Sequence, residues 1–332
     1  MQIDYGGAVE LFERVFEEKL RSPYLHPYYV AADAKRDEEL APVFFTHTDD
    51  DGVFYYAFHL GKVVGKDLFD IQSQYGYGGP LSSTDDRRFL QRAWGAFVEW
   101  CGEHAVLAEF IRFHPLLENT NFYLGEIVPD RNIVWIDLQA PDLLASYSTR
   151  ARTAIRKAQK SGLAVEWWES ERFFPMFKEL YREHMQALNA DSYYFFSEAY
   201  IQAVVSWDQA RLATCTLDGE VLAAAIFLQG PFHMEYHLSA ATGKGKELSA
   251  TNLLIHEAAL LGKVQGCSMF NLGGGTDASP DNPLFFFKAS FSALRAPFYI
   301  GKSIHLPEEY GAMKAAWEEE TSRPARRVLF YR

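Results

Sequence analysis

Cysteine is scarce in this chain: three among 332 residues, at Cys101, Cys215 and Cys267, with no CxxC pair. That pattern argues against a structural zinc site and suits a reducing cytoplasm. Long apolar runs are missing as well. The longest, around Val221 to Leu228, is less than half of the roughly 20 residues a membrane helix needs, so no transmembrane segment is expected. Basic residues are outnumbered, 32 Lys and Arg against 44 Asp and Glu, for a net charge of -12. The molecule as a whole therefore repels polyanions: DNA is not an expected partner, although a local basic patch could still grip a phosphate. The first residues carry acids rather than a basic stretch, and no signal-like apolar core follows, which points to a cytoplasmic protein.

What is present is ample core material, 48% hydrophobic and 15% aromatic residues, over a length that suits two domains of roughly 150 residues. The first half opens on a helix-like stretch, AVELFERVFEEKL, then strand-like runs (PVFFTHT, GVFYYAFHLGKVVGKDLFDI) and the turn-rich QYGYGGPLSS. A helix over about 84–103 and strands in AVLAEFIRFHPLL and NIVWIDL follow, with no repeat visible to the eye. Pro141 and Asp142 mark a boundary, after which Tyr147, Ala151, Ala154, Ile155 and Ala158 recur at helical spacing and Gly162 supplies a stop. That helix carries Arg150, Arg152, Arg156, Lys157 and Lys160 on its other face, an ordinary solvated surface or an anion-binding one. A strand, two helices and SYYFFSEAY lead to three strands in RLATCTLDGEVLAAAIFLQGPFHMEYHLSAAT, turning at Asp218-Gly219 and Gly230-Pro231. A turn, GKGKELS, opens a helix over about 250–263, and the strand SMFNL closes the unit.

Two strings near the C-terminal end carry most of the chemistry. MFNLGGGT (269–276) reads as a buried strand breaking into Gly273, Gly274 and Gly275, where backbone can approach a ligand or another chain closely. LFFFKASF (284–291) sets Lys288 behind three aromatics; an ammonium there must reach water, an acceptor or an anion. The plain alternative is a glycine turn followed by a core segment whose lysine snorkels.

Several strings resemble the Fem family of aminoacyl transferases, which add amino acids to peptidoglycan precursors and have a duplicated GNAT-type acyltransferase fold. They are YGYGGP (75–80), RFHPL (112–116), IRKAQKSGLAV (155–165), EYHLSA (235–240), NLLIHEA (252–258), NLGGGT (271–276) and LFFFKASF (284–291), in consistent order. The resemblance spans about 70–305 and implies an α+β protein of two GNAT-like lobes, each a mixed, mainly antiparallel sheet flanked by helices. The expected division is 1–140, joined by 306–332, and 141–305, the second lobe carrying the main site. Pro307 suits the start of a helix returning to the first lobe.

Acyl transfer to an amine needs a neutral amine, a donor for the developing oxyanion and a proton for the leaving group, but no covalent nucleophile. The chain shows no convincing Ser/His/Asp or Cys/His signature. The resemblance makes Phe287-Lys288 the pair that stabilises negative charge, and Tyr236 a substrate-contacting tyrosine. On a strand Tyr236 and His237 face opposite sides, so His237 or Glu235 shares the other face as a further catalytic candidate, or the two simply pair. Gly243, Lys244, Gly245 and Lys246, with Ser249 and Asn252 opening the next helix, stand where GNAT enzymes cradle the pyrophosphate of coenzyme A. The usual Gln/Arg-x-x-Gly-x-Gly/Ala pattern is poorly formed there, and a solvent turn is the plain reading. Tyr75, Tyr77, Tyr200, Gly273 and Gly274 complete the substrate-binding set. One departure stands out: better-known Fem enzymes have an arginine four residues before the tyrosine matched by Tyr200, and here that position is Phe196. A diphosphate-linked acceptor then depends on Arg112, Arg152 or Arg156 as substitutes. His233 and His237 lie roughly 13 Å apart on a strand, so no metal is expected.

The expectation is an N-acyltransferase moving an acyl group from acyl-CoA to the amine of an amino sugar or amino acid, in cell-wall or polysaccharide synthesis. Two alternatives stand beside it: an aminoacyl-tRNA-dependent transferase acting on a peptidoglycan precursor, and a non-catalytic ligand-binding relative.

Overall fold

The computed structural model describes every residue except Pro280. In chain order, β1 (Gln2–Ile3) and α1 (Tyr5–Val15) come first, with Asp4 capping α1 through the Gly7 amide at 2.7 Å. Then come α2 (Pro27–Ala34), β2 (Leu40–Asp49), β3 (Gly52–Lys62), β4 (Phe69–Gln72) and β5 (Leu81–Ser82). Helix α3 (Arg87–Glu103), β6 (Val106–Arg112) and β7 (Glu126–Asp137) follow. The next stretch holds α4 (Leu143–Ser146), α5 (Thr149–Lys160), β8 (Ala164–Trp167), α6 (Ser170–Ala187) and α7 (Glu198–Val205). Strands β9 (Ala210–Leu217), β10 (Glu220–Gln229) and β11 (His233–Ala241) lead to α8 (Gly243–Glu247), α9 (Ala250–Val264) and β12 (Met269–Gly273). The chain ends with α10 (Pro283–Ala289), β13 (Arg295–Ile304) and α11 (Pro307–Thr321).

These elements form two compact units, 1–20, 24–130 and 297–332 in one, 21–23 and 131–296 in the other. In unit one the strand order is β1-β2-β3-β4-β6-β13 with β5 on β3, all neighbours antiparallel except β4 and β6. Its core is aromatic: Phe45, Phe54, Tyr56, Phe58, Phe89 and Phe97 are fully buried between β2–β3 and α3. In unit two the order is β7-β12-β11-β10-β9-β8, again antiparallel except for one pair, β11 and β12. Here the strands carry small residues, Ala213, Ala223 and Ala225, against Leu253, Leu254, Ile255 and Ala258 of α9 and Ala151, Ile155 and Ala158 of α5. Small strand residues let the helices lie close to the sheet, and burial of the aliphatic face stabilises both.

The two units repeat one topology. In each, an antiparallel hairpin feeds a strand that pairs in parallel with the strand beyond a crossover helix, α3 in unit one and α9 in unit two. The flanking antiparallel strand of each unit comes from elsewhere in the chain: β13 follows β12 yet closes unit one, and β7 follows β6 yet pairs with β12. That arrangement returns α11 and the last residues to unit one, where Arg332 donates to Asp70 at 2.7 Å.

Candidate active site

The parallel ladder between β11 and β12 runs from His233–Met269 through Glu235–Asn271, and the described pairs end there. Strand β11 continues to Ala241, while β12 turns at Gly273, whose φ is +74°, and pairs with Val134 of β7. The register of β11 on β10 also shifts between Phe227–Tyr236 and Ile226–Leu238, which makes His237 the additional residue of a β-bulge. Beyond Glu235 the described ladder between the two parallel strands ends, and at the far end of β11 the His184 ring lies 2.9 Å from the Ala241 carbonyl oxygen.

Unit one closes the corresponding place. Past Gln72–Phe110, the Ser73 amide donates to the Phe110 carbonyl (3.1 Å) and the Arg112 amide to Ser73 Oγ (3.0 Å). The Arg112 guanidinium donates to the Ser73 and Gln74 carbonyls at 3.3 and 3.1 Å, and Gly78 bridges to Phe113. Arg112 is thereby committed to holding the 73–78 segment. Tyr75 and Tyr77 belong to that segment: the Tyr75 amide donates to Asp33, and Tyr77 packs edge-on to Tyr24, His114 and Phe298.

Near the end of the β11–β12 ladder in unit two sits Lys288. Asn282 caps α10 by accepting from the Leu284 and Phe285 amides, and Pro283 supplies a favourable first helical residue. The helix lays Phe285, Phe287 and Ala289 on the aliphatic core, with Phe287 edge-on to Phe291. This anchors Lys288, only 9% exposed, so that its Nζ donates to the Gly274 carbonyl at 2.8 Å and lies 5.9 Å from the centre of the Tyr236 ring. Burial lowers its pKa to about 7. The glycines divide the work: Gly273 takes the left-handed turn, Gly274 presents the acceptor, and a Cβ on Gly275 would fall 2.5 Å from the capping oxygen of Asn282.

The Tyr236 hydroxyl makes a short hydrogen bond with Ser239 Oγ. Strand residues three apart normally face opposite sides; the bulge at His237 brings these two to the same side. Ser239 was not among the residues singled out from sequence, because alternation assigns it to the wrong face. Burial raises the Tyr236 pKa to about 12.

Glu235 and His237 turn to the other face. Glu235 is 1% exposed, accepts from Ser22 Oγ at 3.3 Å, and is pushed up to about 8 by burial, partly offset by His233, Asn271 and Ser22. His237 Nε2 and the Tyr200 hydroxyl lie 2.7 Å apart, and Tyr200 on α7 is fully buried, its ring tilted 54° against that of Phe196. The structure thus brings Lys288, Tyr236, Gly273, Gly274 and Phe287 together and places Glu235, His237 and Tyr200 on the opposite side of the sheet.

The glycine–lysine segment is not an open turn. Thr242 accepts from the Gly245 amide and starts the helical turn α8, and a Cβ on Gly245 would fall 2.1 Å from the Leu222 carbonyl oxygen. That glycine is required by packing against β10. Lys244 pairs with Glu220 at 2.6 Å, whereas Gly243 and Lys246 are exposed. Ser249, at φ +63°, precedes α9 without a side-chain cap, and its carbonyl accepts from the Asn252 and Leu253 amides at 3.1 and 3.3 Å. On α5, Arg152 donates to the carbonyls of Ala145 and Tyr147 and to Thr149 Oγ1, tying the helix start to the preceding turn; Arg156 is exposed.

Residues 145–281 match the acetyltransferase (GNAT) domain family. None of the curated proteins matches the chain. Among solved structures, FemX aligns over 94% of this chain and 99% of its own, at 14% identity and a TM-score of 0.71. L-PGS from Bacillus licheniformis aligns over 90% and 94%, at 17% identity and 0.59. A tandem GNAT protein from the clavulanic acid biosynthesis pathway aligns over 91% and 97%, at 13% identity and 0.50. At these identities the likeness is one of fold. The chain carries a GNAT-type acyltransferase domain, and over its whole length it has the fold of FemX and of tandem GNAT proteins. No helix among the described residues is long and apolar enough to cross a membrane.

Proposed function

We propose that this chain is an N-acyltransferase that moves an acyl group from a thioester or ester donor onto an amine, with coenzyme A as the donor's carrier. One observation carries the reading: the ladder of β11 and β12 ends just where the buried Lys288 lies near the ring of Tyr236, whose hydroxyl pairs with Ser239. The stretch of β11 between the end of that ladder and Ala241 suits an extended amide-bearing donor, which would add to it as a strand adds to a sheet. The uncapped start of α9 and the exposed Lys246 suit the donor's phosphates.

In this reading the amine nitrogen attacks the acyl carbon, a C–N bond forms, and the C–S or C–O bond of the donor breaks. Lys288, as an ammonium, donates to the oxygen that becomes negative, exchanging the Gly274 carbonyl for the oxyanion. The Tyr236–Ser239 pair passes a proton to the departing thiolate or alkoxide and takes in its place the proton that the amine nitrogen sheds as the amide forms. Glu235, held largely protonated at neutral pH, and His237 with Tyr200 support β11 from behind.

Calorimetry with coenzyme A and acetyl-CoA tests the donor, and absence of binding at about millimolar ligand removes it. The second reading, an aminoacyl-tRNA-dependent transferase, is favoured by the likeness to FemX. It predicts retention of charged tRNA on filters with affinity that falls steeply with salt.

A further inference from the structure

Unit one contains a cavity of about 480 Å³ where the chain leaves α11, lined by Trp317 and Phe330 and by four arginines, Arg323, Arg326, Arg327 and Arg332. In a chain of net charge -12, residues 323–332 (RPARRVLFYR) hold four arginines and no acid. Among the described residues, only Arg332 of these four has a carboxylate partner, Asp70. Among the described residues, no ion pair engages Arg323, Arg326 or Arg327. The nearest acids in sequence lie on the last turn of α11, and there Glu318 already accepts from the Ala325 amide at 2.8 Å.

The segment is held firmly enough to keep those charges together. Tyr310 donates to the Val328 carbonyl at 2.8 Å, Leu329 and Phe330 are buried, and Arg332 also donates to the Lys62 carbonyl at 3.1 Å. Three like charges around one concavity repel each other, and an anion of charge two relieves that repulsion. Guanidinium forks suit phosphate oxygens, which they bind in pairs. The half-exposed ring of Trp317, braced edge-on by Phe330 at 5.6 Å between ring centres, offers a flat face beside them. Such a face takes a planar base by stacking.

We infer that this cavity is a nucleotide-binding site, with phosphate on Arg323, Arg326 and Arg327 and the base against Trp317. The site goes beyond the acyl-transfer reading and does not rest on it. Its ligand is either a free nucleotide or a nucleotide within an RNA strand, since both present the same phosphate and base.

The test is calorimetry on the full chain with ATP, inorganic phosphate and a short single-stranded RNA as probes. ATP should bind, and R326Q/R327Q should weaken it at least about tenfold with an unchanged melting temperature. R326K/R327K, which keeps the charge, should recover part of the loss; W317L should weaken ATP but not phosphate. Lys288→Met should leave ATP affinity unaltered, which separates this cavity from the acyl-transfer site. RNA binding tighter than ATP, with a log–log salt slope near about -2 for three phosphate contacts, assigns the site to a strand. Equal affinities assign it to the free nucleotide. The inference is overturned by no ATP binding at about 1 mM, by ATP affinity indifferent to R326Q/R327Q, or by phosphate binding as tightly as ATP.

Discussion

The Nζ of Lys288 donates to the carbonyl oxygen of Gly274 across 2.8 Å, joining the last turn of α10 to the glycine segment that ends β12. A carbonyl is a neutral acceptor, so the buried ammonium has a hydrogen bond but no counter-charge in that contact, and its pKa falls to about 7.

Replacing this lysine by methionine should lower kcat by about 100-fold or more, the usual loss when an oxyanion donor is removed. The folded pKa is depressed, so the lysine's stability contribution is present above its unfolded value and lost as pH falls through about 7. Lys288→Met should therefore gain stability relative to wild type most clearly below pH 7, measured by thermal unfolding at several pH values. A variant that loses activity only by unfolding would contradict the assignment.

The same titration should appear in the kinetics. If the ammonium is the active form, kcat/KM falls on the alkaline side of about pH 7, and the limb moves upward in kcat because an anion beside Lys288 favours its charged form. A profile that rises through pH 7 and keeps rising would make the neutral amine the active species instead.

Glu235 offers the opposite slope. Its folded pKa is raised to about 8, so its contribution is fully present below about 4.5 and is lost as pH rises through 8. Wild type should lose roughly 1.4 kcal/mol per pH unit across that window from this group. Glu235→Gln should flatten the slope in urea unfolding series while keeping most activity, because the side chain faces away from Lys288.

Tyr236→Phe and Ser239→Ala should each slow transfer by about 10- to 100-fold, and the double variant should be little worse than either alone, since each hydroxyl acts through the other. Strictly additive losses in kcat would show two independent groups.

Gly275→Ala should cost about 1–2 kcal/mol, comparable to losing the Asn282 cap, because the new methyl displaces the capping oxygen. Asn282→Ala should behave alike, and both should lower kcat by loosening α10 under Lys288. Denaturant midpoints read alongside kcat check this.

Much of the fold was legible because it rests on local signals. The Asp218–Gly219 turn, both residues at positive φ, joins β9 to β10 where the hairpin was expected, and the helical spacing of Tyr147, Ala151, Ile155 and Ala158 became the buried face of α5 and the turn before it. GKGKELS, expected as a turn, folds as the helical turn α8, where Gly245 is required by close approach to the Leu222 carbonyl, a contact with a distant strand that the local string does not reveal. The duplicated topology was expected from the family resemblance and not from any internal repeat: unit one packs large aromatics where unit two packs alanine and leucine, so a repeated backbone leaves no repeated string.

Residue types and spacing by themselves determined the secondary structure, the isolation of one lysine behind three aromatics, and the glycines needed for a chain reversal. Those outcomes depend on backbone sterics and on burying apolar area, which act over a few residues. Tertiary structure alone decided that Arg112 closes one parallel pair while the described ladder of the other ends at Glu235, that one inserted residue turns Ser239 toward Tyr236, and that Gly274 meets Lys288. Each of these depends on register between segments distant in the chain, and strand register is set by how whole faces pack.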